Sequence, residues 1–151
     1  MNIEPMRRVA ERAAKKASVM ILRKYGKEIE IKIKNKNPKD LVSEVDLAAE
    51  KIIVSEIRKV FPYHTIHSEE MGIDKQKHPL TWVIDPIDGT SNFIHHIPCF
   101  CVSIALVDDT KALLGVVADP MTDRGTQTGA GPAPRTAGPA AKSSANEPLA
   151  R

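Results

Sequence analysis

The segment Trp82–Phe93, WVIDPIDGTSNF, places two aspartates three residues apart directly after an apolar run. The carboxylates of Asp85 and Asp88 are hard oxygen donors, and at this spacing they can converge on one Mg²⁺ ion. Gly89 permits a tight turn, and a helix that starts at Thr90 would direct free backbone N–H groups towards a phosphate. A metal beside a phosphate site is what phosphoryl chemistry requires. The alternative interpretation is a surface turn followed by a capped helix.

Two further acidic clusters could complete such a site. Glu69 and Glu70 follow a short strand candidate, and Asp46 stands near the start of a predicted helix. Adjacent carboxylates usually indicate a solvated turn, and a first-turn acid usually interacts with the helix dipole. One of the two glutamates could instead join the metal site while the other tunes it. The D-x-x-D spacing differs from the D-x-D of phosphatases with an aspartyl nucleophile, which argues against a covalent aspartyl-phosphate intermediate.

The hydrophobic pattern predicts the elements that would position these acids. Apolar residues at helical spacing predict helices over residues 4–25 and 43–60, the second starting with a capping box between Ser43 and Asp46. Strict alternation of isoleucines with charged residues predicts a half-exposed strand at 28–34, with one isoleucine face buried. Further strands are predicted at 64–68, 81–85, 100–108 and 112–119. Pro86 cannot donate a ladder hydrogen bond, so we expect a strand to end at Asp85, at the sheet edge where α/β proteins bind ligands. The order of elements indicates a layered α/β or α+β domain.

Composition is typical of a soluble globular chain of about one domain, with 151 residues, 42% hydrophobic and 27% charged. No apolar run approaches the roughly 18 residues that a membrane span requires, and the charged N-terminus lacks a secretory signal. Cys99 and Cys101 lie two apart in an apolar run, which we interpret as two small buried residues in a reducing, cytoplasmic compartment. We therefore expect neither a membrane partner nor a disulfide framework.

The character of the sequence changes at Arg124. Residues 124–151 contain 20 Gly, Pro, Ala, Ser or Thr residues among 28, and Leu149 is their only large apolar residue. Such a segment cannot bury enough surface to offset the entropy of ordering it, so we predict that it is disordered. Its four basic residues and one acid account for the whole net charge of +3, so the basic pI does not indicate a nucleic-acid surface. We assign residues 1–123 to the folded domain and 124–151 to a tail.

Three segments in this order resemble the inositol monophosphatase family of Mg²⁺-dependent sugar-phosphate phosphatases. They are NPKDLVSEVD, HTIHSEE and WVIDPIDGTSNFIHHIPCFCVSIAL, which start at residues 37, 64 and 82. The D-P-[IL]-D-G-T-[ST]-N-F element is highly specific to that family, and the family's G-E-E element is present here as Ser68-Glu69-Glu70. The resemblance covers about residues 4–123. It implies the N-terminal portion of the layered α+β (αβαβα) sugar-phosphatase fold.

The resemblance also implies a set of metal ligands and Mg²⁺ as the cofactor. Glu69 would bind a metal and help to activate the attacking water. Asp85 would bridge two metals, and the backbone carbonyl of Ile87 would coordinate one of them. Asp88 would bind the second metal and contribute to the substrate site, and Glu70 would support the ligands from outside.

The same resemblance assigns the contacts to phosphate and water. Backbone N–H groups of Gly89 and Thr90 would hold the phosphate, and the Thr90 hydroxyl would orient the attacking water. Asp46 would pair with Thr90, and Lys36 would lie near the phosphate. The implied reaction is hydrolysis of a small phosphate monoester, an inositol monophosphate or a related sugar phosphate, by a metal-activated water that attacks phosphorus in line.

The sequence departs from the family after Asp123. The second half of the family holds a W-D-x-A motif that supplies a further metal ligand, whereas Trp82 is the one tryptophan here. We interpret residues 124–151 as an out-of-frame translation, with a genuine short protein as the alternative, and expect truncation to impair activity. A full-length member is expected to be a homodimer. Two further readings stay open: a non-catalytic partner of transcription complexes and an inactive frameshifted product.

Overall fold

The computed structural model describes residues 1–33, 41–74 and 76–122, together with the backbone of residues 124–129. Two helices, α1 (Glu4–Lys24) and α2 (Glu44–Arg58), pack against each other and against a six-stranded mixed sheet. A third, short helix is α3 (Thr90–Ile94). No helix in these parts of the chain is long and apolar enough to cross a membrane. This is the layered α+β arrangement that the order of elements predicted.

The strands are β1 (Ile31–Ile33), β2 (Leu41–Ser43), β3 (Thr65–Ser68), β4 (Gly72–Ile73), β5 (Thr81–Asp88), β6 (Cys101–Val107), β7 (Ala112–Asp119) and β8 (Arg124–Gly129). β1 and β2 form a separate antiparallel pair, and the others form one sheet in the order β4-β3-β5-β6-β7-β8. Within this sheet β3 and β5 run parallel, whereas every other neighbouring pair is antiparallel. The carboxyl ends of β3 and β5 therefore meet at one edge of the sheet.

One hydrophobic core joins the helices to the sheet. Ala10, Ala13 and Ala17 recur at helical spacing on α1 and are fully buried, in the same cluster as Ile53 of α2 and Trp82 of β5. Apolar residues whose spacing predicted the two helices are therefore among the residues that are buried. Each large side chain buried in this way contributes about 1.5–3 kcal/mol to stability relative to leaving it exposed.

Ser43 caps α2 as the sequence predicted. Its hydroxyl oxygen accepts the N–H groups of Val45 and Asp46 at 3.2 and 3.3 Å. In return, the Asp46 carboxylate accepts the Ser43 N–H at 2.8 Å, which completes the capping box. A cap of this kind is worth about 1 kcal/mol, and here it also orients Asp46 at the first turn of the helix.

Strand β1 is shorter and more exposed than predicted. The alternating pattern over 28–34 predicted a strand with one buried isoleucine face, but the strand spans Ile31–Ile33, and these two isoleucines are 43% and 58% exposed. β1 pairs with β2 in a two-stranded sheet outside the main sheet. Alternation therefore predicted the strand correctly. It did not predict the exposure of the isoleucines, because burial depends on whether the β1–β2 pair packs against the main sheet.

Strand β5 does not end at Asp85 as predicted but continues through Pro86 to Asp88. Between Asp85 and Asp88 the strand advances three residues, while β6 advances two, from Ser103 to Cys101. The extra residue is a bulge, and a bulge tolerates a residue that cannot donate a ladder hydrogen bond. The prediction that Pro86 stops the strand was wrong for this reason.

The backbone of residues 124–129 forms β8, antiparallel to β7 and paired from Asp119↔Arg124 to Leu114↔Gly129. The sequence predicted a disordered tail from Arg124 onwards, so this segment differs from that prediction. Pairing to β7 uses backbone hydrogen bonds, which do not require large apolar side chains. Residues 130–151 lie outside the described residues, and the domain boundary at residue 123 stays a prediction.

Candidate functional site

The bulge in β5 sets the direction of two aspartate side chains. Asp85 lies opposite Ser103, and Asp88 lies opposite Cys101. Because Cys101 and Ser103 are two residues apart on β6, they point to the same face of the sheet, and cross-strand partners share a face. Without the extra residue, Asp85 and Asp88 would point to opposite faces, since they are three residues apart. The bulge therefore brings both carboxylates of the D-x-x-D motif to one face.

Glu69 approaches the aspartates from the end of β3. Its backbone N–H donates to the Ile84 carbonyl oxygen at 3.1 Å, which places Glu69 beside β5. Glu69, Asp85 and Ser68 are among the residues that line one open depression of about 260 Å³. The Oγ atom of Ser68 is buried there without a hydrogen-bond partner. The parallel pairing of β3 and β5 thus unites two acidic motifs that lie apart in the sequence.

Asp85 has the properties expected of a carboxylate that binds a cation. Burial first, then the negative charge of Glu69 and a hydrogen bond with the Glu69 carboxyl, and after these the charges of Asp88 and Asp46, raise the pKa of Asp85 to about 7. Its Oδ1 atom is buried and has no hydrogen-bond partner. Buried polar atoms in folded proteins are nearly always paired, and clustered carboxylates repel one another unless a proton or a cation neutralises them. Near neutral pH, Asp85 is therefore neutralised by a proton or by a cation that takes its place.

Thr90 and Asp46 make the contact that the family resemblance implied. Thr90 Oγ1 lies 2.8 Å from Asp46 Oδ1 and 2.9 Å from the carbonyl oxygen of Ile87. The hydroxyl has one proton and can donate it to one of these acceptors at a time, while its lone pairs can accept a proton from water. Asp46 is only 1% exposed, and Ser43 donates to its other oxygen through both a backbone N–H and a hydroxyl. Asp46 is thus a fixed acceptor for the Thr90 hydroxyl.

Gly89 shapes the turn between β5 and α3. Its φ of +97° lies in the left-handed region that favours glycine. A Cβ atom at this position would come within 2.9 Å of the Cys99 carbonyl oxygen, and that same oxygen accepts the side-chain amide of Asn92 at 2.7 Å. The turn therefore requires glycine for conformation and for space. The helix α3 starts at Thr90, as the sequence predicted.

Cys101 lies beside Asp88 but does not supply a reactive thiolate. Its Sγ atom is 3.9 Å from Asp88 Oδ2. Burial, followed by the charges of Asp88, Asp85 and Asp119, raises the pKa of the Cys101 thiol to about 11, so the thiol is neutral near pH 7. The prediction of two buried cysteines was wrong, because Cys99 precedes β6 and is exposed, while Cys101 is half-buried. Both are free thiols.

The chemistry of these residues fits a divalent cation, but they do not form a complete ligand group. Within residues 1–33, 41–74 and 76–122, no group of three or more His, Cys, Asp or Glu side chains is arranged to hold a metal ion. Asp85 nevertheless offers a buried carboxylate oxygen without a partner, and Glu69 and Asp88 add hard anionic donors beside it. Of the predicted site residues, Lys36 lies outside the described residues, so its place near the phosphate stays a prediction.

Sequence analysis missed one buried acid near the site, Glu50. It lies on α2 and is 1% exposed, and its Oε2 atom accepts the backbone N–H groups of Glu70 at 3.0 Å and Met71 at 3.4 Å. A signal was present in the sequence, because Glu50 follows Asp46 by one helical turn and precedes Ile53 and Ile57 of the apolar stripe by three and seven residues. A buried acid requires partners, and an acid beside the apolar stripe of a helix is a signal for such a contact.

Comparison with known proteins identifies a family for this chain. The model of the inositol monophosphatase family matches residues 2–143, which is longer than the segment on which the resemblance was based. The Nus factor SuhB of Escherichia coli K12 is 42% identical over 120 residues, which are 79% of this chain and 45% of that protein. The Nus factor SuhB of Pseudomonas aeruginosa is 43% identical over 122 residues, again 79% and 45%. The chain thus spans a little under half the length of these curated relatives.

Solved structures show the same fold. The extragenic suppressor protein suhB from Bartonella henselae superposes with a TM-score of 0.79 and 35% identity, covering 84% of this chain and 50% of that one. An IMPase from Thermotoga maritima superposes with a TM-score of 0.72 and 36% identity, covering 80% and 46%. These similarities confirm the predicted layered fold for the part of the chain that they cover.

Proposed function

This chain belongs to the inositol monophosphatase family, and on that premise we propose that it contributes the metal and phosphate site of a Mg²⁺-dependent phosphomonoesterase acting on an inositol phosphate or a related sugar phosphate. The observation that carries the proposal is the Asp85 carboxylate, with a buried oxygen that lacks a partner and a pKa raised to about 7. Burial among like charges is stable at neutral pH when a cation is bound. Since the chain spans under half of its curated relatives, turnover by the whole protein is also a proposal.

Three carboxylates and one carbonyl would hold the metal, and they belong to Glu69, Asp85, Asp88 and Ile87. A bound Mg²⁺ would neutralise the phosphate oxygens and lower the pKa of a coordinated water. The bulge between Asp85 and Asp88 turns both side chains to one face, where they can contact the same ion or neighbouring ions. Glu69 reaches this face from β3 and can accept a proton from the attacking water.

Thr90 and Asp46 would orient that water. When the Thr90 hydroxyl donates to Asp46 Oδ1, the lone pairs on Thr90 Oγ1 can accept a hydrogen bond from water. A water held by both Thr90 and Glu69 would direct its own lone pair at phosphorus, so no covalent intermediate on the protein is required. Asp46 acts through Thr90 and therefore positions it without touching the substrate.

The turn at Gly89 would receive the phosphate. Its left-handed backbone leads directly into the first turn of α3, where the N–H groups of Gly89 and Thr90 precede the hydrogen-bonded part of the helix. Lys36, which lies outside the described residues, would add a positive charge near the phosphate, as the family resemblance implies. The homodimer implied by the family likewise stays a prediction.

The test is Mg²⁺-dependent phosphate release from inositol 1-phosphate by the purified chain and by the Asp88→Asn variant. We expect the substitution to lower the rate by about 100-fold or more, because it removes an anionic metal ligand. Asp109→Asn is the matched control, because Asp109 is exposed in the turn between β6 and β7. An Asp88→Asn variant that releases phosphate as fast as the wild type would contradict the proposal, and so would a wild-type chain that neither releases phosphate nor binds Mg²⁺.

A second candidate function is a non-catalytic partner of transcription complexes. The observation that favours it is the name of the curated relatives, Nus factor SuhB. The Asp88→Asn variant separates the two candidates, since it should abolish hydrolysis and leave binding to a purified transcription complex intact. Loss of both activities in this variant would show that the two candidates cannot be separated at Asp88.

A further inference from the structure

Glu50 is a buried acid on α2 to which the proposed function gives no role. Its Oε2 atom accepts two successive backbone N–H groups, that of Glu70 at 3.0 Å and that of Met71 at 3.4 Å. These amides belong to the turn between β3 and β4, and Glu69 is the first residue of that turn. The contact therefore links the middle of α2 to the segment that carries a candidate metal ligand.

Asp46 makes a corresponding contact one helical turn earlier. Because Asp46 and Glu50 are four residues apart on α2, their side chains share one face of the helix. Asp46 accepts a hydrogen bond from Thr90, the first residue of α3 after β5, whereas Glu50 accepts from the turn that follows β3. One rigid helix thus contacts both the start of α3 and the turn after β3, and its rise of about 6 Å over four residues fixes the spacing of the two contacts.

We propose that Glu50 is a positioning residue that holds the turn at residues 69–71 so that the Glu69 carboxylate is directed at Asp85. The inference rests on the proposed function, in which Glu69 binds the metal. On one side of the turn, the Glu69 N–H is held by the Ile84 carbonyl at 3.1 Å. On the other side, Glu50 holds the next two N–H groups, so the backbone around Glu69 is restrained at both ends. A ligand on a restrained backbone loses less conformational entropy when it binds a metal.

Two conservative substitutions separate the reach of the Glu50 side chain from its charge. Glu50→Gln keeps the length and an oxygen that can accept both N–H groups, but removes the charge. Glu50→Asp keeps the charge, but withdraws the carboxylate by one methylene. Glu56→Asp is the matched control, because Glu56 is a buried acid on the same helix whose partners are Arg12, Lys16 and Lys59.

Two measurements on the full chain report on the contact and on its consequence. Hydrogen–deuterium exchange at the amides of Glu70 and Met71, carried out in the presence of a metal chelator, measures the contact of these amides with Glu50 in metal-free protein. Terbium(III) luminescence titration measures the metal site. We expect Glu50→Asp to accelerate the exchange of these amides about tenfold and to weaken terbium affinity about tenfold, while Glu50→Gln and Glu56→Asp stay within about threefold of the wild type.

Each departure from this pattern has a defined meaning. Unchanged exchange or unchanged terbium affinity in Glu50→Asp would overturn the inference. A Glu50→Gln variant as impaired as Glu50→Asp would also overturn it, because charge and not hydrogen bonding would then be responsible. If the wild type binds no terbium but exchange responds as expected, the proposed function fails while the hold of Glu50 on the turn is supported. Exchange of the α1 amides shows that each variant is folded.

Discussion

Two acids of this protein lie in opposite electrostatic surroundings. Glu56, near the end of α2, is 4% exposed and contacts Lys59, Arg12 and Lys16 at 2.6, 2.8 and 3.0 Å. Hydrogen bonds from Lys59 and Lys16, the largest causes, lower the pKa of Glu56 to about 2. Asp85, at the bulge of β5, has its pKa raised to about 7 by burial and by other carboxylates. The chain supplies the cations for Glu56, whereas the groups that act on Asp85 are themselves acidic.

This difference distinguishes a structural acid from a candidate ligand. A carboxylate with its own lysines and arginines is already neutralised, so it stabilises the packing of α2 on α1 and has no need of a further ion. A carboxylate gathered with Glu69 and Asp88 raises the energy of the folded protein until a proton or a metal joins it. Burial alone therefore does not identify a functional acid. The sign of the charges on the neighbouring side chains does.

The largest expected effect is a pH dependence of stability in metal-free protein. The pKa of Asp85 is about 7 in the folded state and 3.8 when unperturbed, so stability present below pH 3.8 is lost as pH rises through about 7. We expect the Asp85 contribution to cost about 2–4 kcal/mol in the free energy of unfolding, at about 1.4 kcal/mol per pKa unit. Urea unfolding in chelator at pH 4 to 8 measures it, and Asp85→Asn should flatten the profile. Parallel profiles for variant and wild type would contradict this assignment.

The second prediction is that substitution of Asp85 weakens metal binding, whereas substitution of Glu56 does not. We expect Asp85→Asn to weaken binding of Mg²⁺ or terbium(III) about 100-fold, because it removes the charge of the buried oxygen donor. Glu56→Gln should leave metal affinity unchanged, since Glu56 already has three cationic partners in the protein. Isothermal titration calorimetry of both variants checks the comparison. Equal losses in the two variants would mean that the effect is general destabilisation.

A third prediction concerns Asp46, a buried acid that is paired with hydroxyls and an N–H group. Thr90→Val removes the hydrogen bond to Asp46 Oδ1 and should lower the free energy of unfolding by about 1–3 kcal/mol. Thr90→Ser keeps the hydroxyl and should lose clearly less. Chemical denaturation of the two variants at pH 7 distinguishes them. Equal stability of the valine and serine variants would show that Asp46 does not depend on Thr90.

The smallest effect is expected at the Glu56 ion pairs. Because all three cations are about half exposed, solvent screens them, and Glu56→Gln should cost only about 1 kcal/mol at pH 7. The pKa of Glu56 is lowered in the folded state, so its contribution is present above pH 4.5 and disappears as pH falls through about 2. The stability difference between the variant and the wild type should therefore shrink between pH 4.5 and 2. A difference that grows with acidity would contradict the assigned direction.

The local pattern of the sequence was enough to predict several parts of the molecule. The apolar stripes of α1 and α2, the capping box of Ser43 and the start of α3 at Thr90 are confirmed, because each depends on residues within about one helical turn. The short strands β2 and β4 were not predicted, since three and two residues carry too little periodicity. The acids of the D-x-x-D-G-T motif were likewise identified from composition and spacing alone.

Only the tertiary structure decided how those acids meet. The bulge that turns Asp85 and Asp88 to one face depends on the register with β6, and the approach of Glu69 depends on the parallel pairing with β5. The contact of Glu50 with the Glu70 amide likewise spans 20 residues of sequence. Spacing along the chain determines which residue types are available. The distances between them, and therefore the pKa of Asp85, arise from pairing and burial, which no local pattern contains.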